Sequence, residues 1–168
     1  VYIDLHHCSP SAYGLVFAAG VVGITTTNLA NARLVGRLGS LRTLRAGAVA
    51  AAIAGTLLGG MAWTGAGGAW GLLGPQLAYL ACTGLIIPNA LAGALEGRTD
   101  DAGAVSALTG SLQYGGGIFG SVLVGLFADG TAWPFGWVMA LAGLGTLAGS
   151  LLLRTSTERP ENRMRLEA

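Results

Sequence analysis

The side chains that could do chemistry in this chain are polar but uncharged, and they lie inside long apolar segments. No Asp, Glu, Lys, Arg or His falls well inside any of these segments. Amide and phenol groups at membrane depth suit either the wall of a water-filled cavity or hydrogen bonds between helices. A proton relay needs ionisable groups at that depth, so we expect no proton-coupling device in this chain alone. The residues of interest are Asn28, Asn89, Gln113 and Tyr114.

Motifs for enzymatic catalysis and for metal binding are missing from the sequence. Neither HExxH, nor a Walker loop, nor GxSxG occurs. Cys8 and Cys82 are far apart, and His6 and His7 form an isolated terminal pair, which is not a metal-ligand spacing. A net charge of +1 with no basic stripe argues against a nucleic-acid partner. We therefore predict no enzyme, no catalytic residue, no metal site and no cofactor.

The composition places these polar residues in a lipid bilayer. Of 168 residues, 52% are hydrophobic and 10% are charged, whereas soluble domains carry about 25% charged residues. Residues 46–95, 102–128 and 130–153 contain no Asp, Glu, Lys or Arg. Since a spanning helix needs about 20 apolar residues, these stretches hold about four spans, and the N-terminal apolar segment adds a fifth.

Turn and helix-start signals divide the apolar sequence into five predicted helices. They run over about 11–35, 45–65, 69–96, 102–129 and 133–154. We assign 1–155 to a partial transmembrane domain and 156–168 to a polar cytoplasmic tail. Twelve spans would need about 240 helical residues, so we expect a chain that is entered partway through a longer protein.

Arginines and tryptophans lie at opposite ends of the predicted helices. The five predicted helices leave six non-membrane segments, counted from the N-terminus. All nine basic residues are arginines, and they lie in the second, fourth and sixth of these segments. The four tryptophans lie at or near the helix ends that adjoin the other three segments. Cytoplasmic loops attract basic residues, and tryptophan favours the membrane interface. We therefore predict the N-terminus outside and the C-terminus in the cytoplasm. The topology anchors in the first loop are Arg33, Arg37, Arg42 and Arg45.

Glycine and proline indicate where helices pack and where they bend. Small residues four apart, such as Gly55 and Gly59, predict tight bundle packing. Each of three successive glycines weakens a helix by roughly 1 kcal/mol relative to alanine, and Pro88 frees a backbone carbonyl. The predicted helix-bending residues are Pro88, Gly115, Gly116 and Gly117.

Two roles remain open for the amides at depth. Gln113 lies about 17 Å from Ala102 along its helix, which is close to the bilayer midplane. It could line a cavity or bond a neighbouring helix. Asn89 could contact a substrate, or it could hold the backbone opened by Pro88, which we slightly favour.

Short motifs follow one another in order along nearly the whole chain. They are YIDL at 2–5, SPSAYG at 9–14, NARL at 31–34, PNA at 88–90, AVSAL at 104–108, Gln113, Leu126, DGT at 129–131 and Pro134. Their order and spacing resemble the C-terminal half of the Bcr/CflA drug-resistance transporters of the major facilitator superfamily. The resemblance implies an all-α integral membrane fold whose five helices form most of the C-terminal six-helix bundle.

The resemblance also implies a function and a set of partners. Such proteins export hydrophobic drugs by proton antiport with alternating access between two halves. Asn28, Asn89, Gln113 and Tyr114 would contact the substrate, and the missing N-terminal half would supply the proton-coupling residues. The partners would then be the lipid bilayer, a drug-like substrate, protons and that missing half. The chain alone would not transport, and its place would be the bacterial inner membrane.

One departure from the family pattern and two alternatives accompany this interpretation. Residues 36–42 resemble a decayed cytoplasmic gating loop that lacks its Asp, so we interpret the arginines there as topology anchors. A stand-alone five-helix scaffold or subunit is one alternative, and a metabolite exporter of the same superfamily is another.

Overall fold

The computed structural model describes residues 10–97 and 100–153, with side chains described from residue 14 onward. All regular structure in these ranges is α-helical, as predicted. The helices are α1 (Pro10–Leu38), α2 (Ser40–Thr64), α3 (Gly68–Leu95), α4 (Ala102–Leu126) and α5 (Trp133–Leu152). Residues 1–9 and the predicted polar tail over 156–168 lie outside the described residues.

The connection between α1 and α2 is much shorter than the sequence indicated. A single residue, Gly39, separates the two helices, and its φ of 81° is one that a residue with a Cβ rarely adopts. The predicted arginine-rich turn is therefore mostly helical. Arginine and leucine are good helix formers, so nothing between positions 36 and 44 except Gly39 interrupts the helix.

Helix α2 lies at the centre of the bundle, between α5 on one side and α3 on the other, and α1 packs mainly on α3. The buried hydrophobic side chains come almost entirely from α2. Most are alanines, which allow the helix backbones to approach closely. The buried hydrophobic residues are Leu44, Ala48, Ala51, Ala52, Ala54, Leu58, Ala62, Leu72 and Cys82.

Glycines form the contact between α2 and α5. A Cβ placed on Gly55 would lie 2.7 Å from the carbonyl oxygen of Met139, and one on Gly143 would lie 2.8 Å from that of Ala51. Gly59 faces Gly136 in the same way. The pair Gly55 and Gly59 thus serves close helix packing as predicted.

Helix α4 stands at the edge of the bundle and has no buried residue. It touches only the neighbouring helices α3 and α5, and only sparsely. Four helices, α1, α2, α3 and α5, are long and apolar enough to cross a membrane. Because α4 contains several Ser, Thr, Gln and Gly residues, it is not among these four, and its span stays a prediction.

Candidate functional site

Three helices meet at a buried cluster of polar side chains around Asn89. Its Nδ2 atom donates to Oδ1 of Asn31 in α1 at 2.6 Å and to the carbonyl oxygen of Leu85 at 2.7 Å. Its Oδ1 atom accepts from the hydroxyl of Ser40, the first residue of α2, at 2.9 Å. One amide therefore ties α1, α2 and α3 together.

A proline stands directly before Asn89 in α3. Pro88 has no backbone N–H, so the helix loses a hydrogen bond at that turn. The Asn89 side chain donates to a carbonyl in the preceding turn, that of Leu85. The carbonyl that Pro88 leaves without a helical donor is that of Gly84, four residues earlier, and the Asn89 side chain does not bond it. A role for Asn89 in holding the backbone opened by Pro88 stays a prediction. Contact between Asn89 and a substrate stays a prediction.

A second contact joins α1 to α3 further along the same face. The hydroxyl of Thr27 donates to the carbonyl oxygen of Ala81 at 2.6 Å. Gly84 makes this approach possible, because a Cβ there would overlap the Thr27 hydroxyl and the carbonyl oxygen of Ile24. Close backbone approach and a hydrogen bond therefore act together at this interface.

The other predicted substrate residues lie on the surface of the bundle. Asn28 is exposed on α1, and its side chain makes no hydrogen bond within the described part of the chain. Gln113 and Tyr114 are exposed on α4, where they line a shallow groove of about 690 Å³ with Ser121 and apolar neighbours. Neither Asn28 nor Asn89 lines this groove, so the structure does not gather the four residues into one site.

The predicted bending residues lie within continuous helices. Helix α3 runs through Pro88, and α4 runs through Gly115, Gly116 and Gly117. No atom of another residue would meet a Cβ at these three glycines within 4 Å. Bending at these positions stays a prediction.

The predicted topology anchors differ in their surroundings. Arg33, Arg37 and Arg42 are exposed. Arg45 is half-buried, and its Nε and Nη2 atoms are buried without a hydrogen-bond partner in the described ranges. A membrane anchor normally extends its charged end to the interface, so Arg45 is the least typical of the four.

The two arginine-free connections, between α2 and α3 and between α4 and α5, lie at one end of the bundle. Residues of both connections, Asp129 among them, line a common cavity of about 570 Å³ together with Trp63 and Trp133. The rings of Trp63 and Trp133 meet edge to face, with centroids 4.7 Å apart. The predicted grouping of tryptophans at these ends is thus present in the structure for this pair.

The turn before α5 is organised around Asp129. Its Oδ1 atom accepts from the Thr131 hydroxyl at 2.6 Å and from the Thr131 backbone N–H at 2.9 Å. The Thr131 hydroxyl in turn accepts from the N–H of Trp133, the first residue of α5. These hydrogen bonds, that from the Thr131 hydroxyl first, hold the pKa of Asp129 below its ordinary value.

We expect Thr131→Val to raise the pKa of Asp129 toward the ordinary value of about 3.9, because it removes the hydroxyl donor. Because the pKa of Asp129 is lowered in the fold, the turn contact stabilises the fold fully at a pH above the ordinary pKa of an Asp. This stabilisation is lost as the pH falls through the lowered pKa of Asp129. A pH titration of the carboxyl ¹³C shift measures the midpoint. Thr146→Val, whose hydroxyl bonds its own helix, is the control. Equal midpoints in wild type and Thr131→Val would contradict the assignment.

Comparison with known proteins adds no family assignment. No protein-family model, curated protein or solved structure matches the chain. The resemblance to the Bcr/CflA transporters therefore rests on the sequence motifs alone.

The sequence singled out Asn89 but missed Ser40, one of its partners. Asn89 has a visible signal, since it is an amide in an apolar run directly after a proline. Asn31 is a further polar residue of the first predicted helix. Ser40 has no such signal, because it sits in a segment that the sequence indicated as a turn. Only the packing of α2 against α3 brings it to Asn89.

Proposed function

We propose that the chain is part of a multidrug exporter of the major facilitator type, similar to the Bcr/CflA transporters, that exchanges hydrophobic drugs for protons. The observation that carries the proposal is the polar groove of α4. Gln113 and Tyr114 line it, and both face away from the helices of this chain.

A glutamine facing hydrocarbon is unfavourable, because its amide group has no hydrogen-bond partner there. Within the described residues Gln113 has no partner, and α4 buries no residue against its neighbours. Something outside the described chain must therefore cover the groove, either further protein or water in a cavity between protein halves. A transporter whose second half faces α4 satisfies this requirement.

The groove has the mixed character that suits a drug-like substrate. Ile118 and Val122 supply apolar surface beside the Gln113 amide and the Tyr114 hydroxyl. Sites for small organic molecules combine mostly apolar walls with a few polar groups that orient the ligand. The polar groups that line the groove are an amide, a phenol and a hydroxyl, with no Asp, Glu, Lys or Arg among the described lining residues, which favours substrates of low polarity.

Proton coupling would have to come from outside this chain. The five described helices contain no acidic residue, whereas proton relays in membranes use Asp, Glu or His. We therefore propose that the missing half supplies the coupling residues and that the chain alone does not transport.

The same proposal includes a location and an orientation. Several long apolar helices indicate a multi-pass membrane protein. We place it in the bacterial inner membrane with its N-terminus outside and its C-terminus in the cytoplasm. Support comes from the segregation of the arginines from the tryptophans along the sequence.

We expect Gln113→Ala in the complete transporter to lower export of several unrelated hydrophobic drugs about 2- to 10-fold, the effect of losing one neutral hydrogen bond. Drug efflux from cells and immunoblotting of membranes measure export and abundance. Ser111→Ala is the control, because Ser111 lies on the same helix, bonds the Ala107 carbonyl and does not line the groove.

The outcomes separate the alternatives. Loss of abundance in Gln113→Ala with normal export per molecule would favour a packing role for Gln113. If cells with the protein and cells without it are equally susceptible to all drugs tested, export of a metabolite would be favoured.

A further inference from the structure

Two adjoining recesses open at the arginine-free end of the bundle and share their wall. The first is the cavity of about 570 Å³ beside Asp129, and the second is a groove of about 320 Å³ along α2 and α5. Trp63, Thr64 and Trp133 line both. A single ligand in contact with the tryptophan pair can therefore occupy the two recesses together.

The first recess has the chemistry of a cation site. Among the residues that the structure describes, Asp129 is the only ionisable one that lines it. Both hydrogen bonds to this carboxylate end on Oδ1, and Oδ2 accepts none from the described residues. Oδ2 is thus free to accept a charge-assisted hydrogen bond from a primary ammonium group. The tryptophan rings nearby add cation–π attraction.

The second recess is apolar and suits a hydrocarbon chain. Gly59, Gly60, Trp137 and Ala140 line it beside the two shared tryptophans. The glycines leave a furrow between α2 and α5 because they have no side chain. Tryptophan favours the level of lipid headgroups, so the recess leads from the interface toward the hydrocarbon.

We propose that this two-part site binds an aminophospholipid, with its primary ammonium at Asp129 and the start of an acyl chain in the groove between α2 and α5. The occupant is a lipid because the charged recess lies at the level of the tryptophans, where headgroups are concentrated, and the apolar recess continues into the membrane. The site lies apart from the α4 groove, so it does not depend on drug export.

Native mass spectrometry of the full chain with lipids of identical acyl chains tests the proposal. We expect phosphatidylethanolamine to bind at least about five-fold more tightly than phosphatidylglycerol, which has no ammonium. Phosphatidylcholine should lie between them, because its quaternary ammonium retains the charge but donates no hydrogen bond. Asp129→Asn retains an oxygen for the Thr131 contacts. It should reduce the preference for phosphatidylethanolamine over phosphatidylglycerol to about one-fold, which means equal binding of the two lipids. Trp63→Leu should weaken ethanolamine binding two-fold or more.

Matched variants control for general effects on the membrane surface. Trp70→Leu removes an exposed tryptophan that lines neither recess, and Asp101→Asn removes an exposed acid from a different connection. Both should retain the preference. Equal binding of the three lipids, or a preference unchanged by Asp129→Asn, would overturn the proposal. Asp129-dependent binding of dodecylammonium with no lipid preference would assign the site to soluble amphiphilic cations and would also overturn it.

Discussion

Gly55→Ala is expected to destabilise the bundle by about 1–3 kcal/mol, although alanine is the better helix former. The added Cβ would lie 2.7 Å from the Met139 carbonyl oxygen and 3.3 Å from the Cα of Ala140. Both are backbone atoms, so relief requires moving α5 away from α2. We expect the melting temperature of the purified chain to fall by roughly 3–10 °C.

Gly60→Ala provides the matched control on the same helix. No atom would meet its Cβ within 4 Å, so alanine adds helix propensity without a clash, and stability should stay the same or rise by up to about 1 kcal/mol. Opposite signs at two glycines five residues apart would identify the α2–α5 contact. Equal effects at the two positions would contradict it.

Asn89→Ala is expected to lower thermal stability and membrane abundance. It leaves Oδ1 of Asn31 without its donor and removes the acceptor of the Ser40 hydroxyl, both in a cluster that is largely buried. Each unsatisfied buried group costs about 1–3 kcal/mol, although hydrogen bonds between membrane helices average about 0.6 kcal/mol. A total of about 1–3 kcal/mol follows, measured by thermal denaturation in detergent.

Asn28→Ala is the matched control, since Asn28 is exposed on α1 with no side-chain hydrogen bond among the described residues. Its stability should equal that of the wild type. The comparison also separates the two roles of Asn89. Loss of export by Asn89→Ala at full abundance and stability would support substrate contact and contradict the packing role.

The helices were predictable because each depends on local sequence. Runs without charge located the apolar helices, and polar or glycine-rich segments located the connections. The prediction failed for the α1–α2 connection, where clustered arginines suggested a loop. Arginine is a good helix former and is also frequent at membrane boundaries. Charge therefore indicates which segments are in contact with water, but it does not indicate which segments are helical.

For the polar cluster around Asn89, the sequence indicated the type of residue involved but not which residues come together. An amide after Pro88 is visible in the sequence, but its partners Asn31 and Ser40 are 58 and 49 positions away. Which helix faces which depends on close contacts such as Gly55 against Met139. Glycines with and without such contacts look the same in the sequence, as Gly55 and Gly60 show.

Transport by everted membrane vesicles tests the central proposal most directly. The vesicles contain the complete transporter, which is proposed to include this chain. They should accumulate a fluorescent hydrophobic drug when the vesicle lumen is made more acidic than the outside. A protonophore should abolish the accumulation, and Gln113→Ala should reduce it about 2- to 10-fold at equal abundance. Accumulation equal to that of vesicles without the protein, for every drug tested, would contradict the proposal that this chain belongs to a proton-coupled drug exporter.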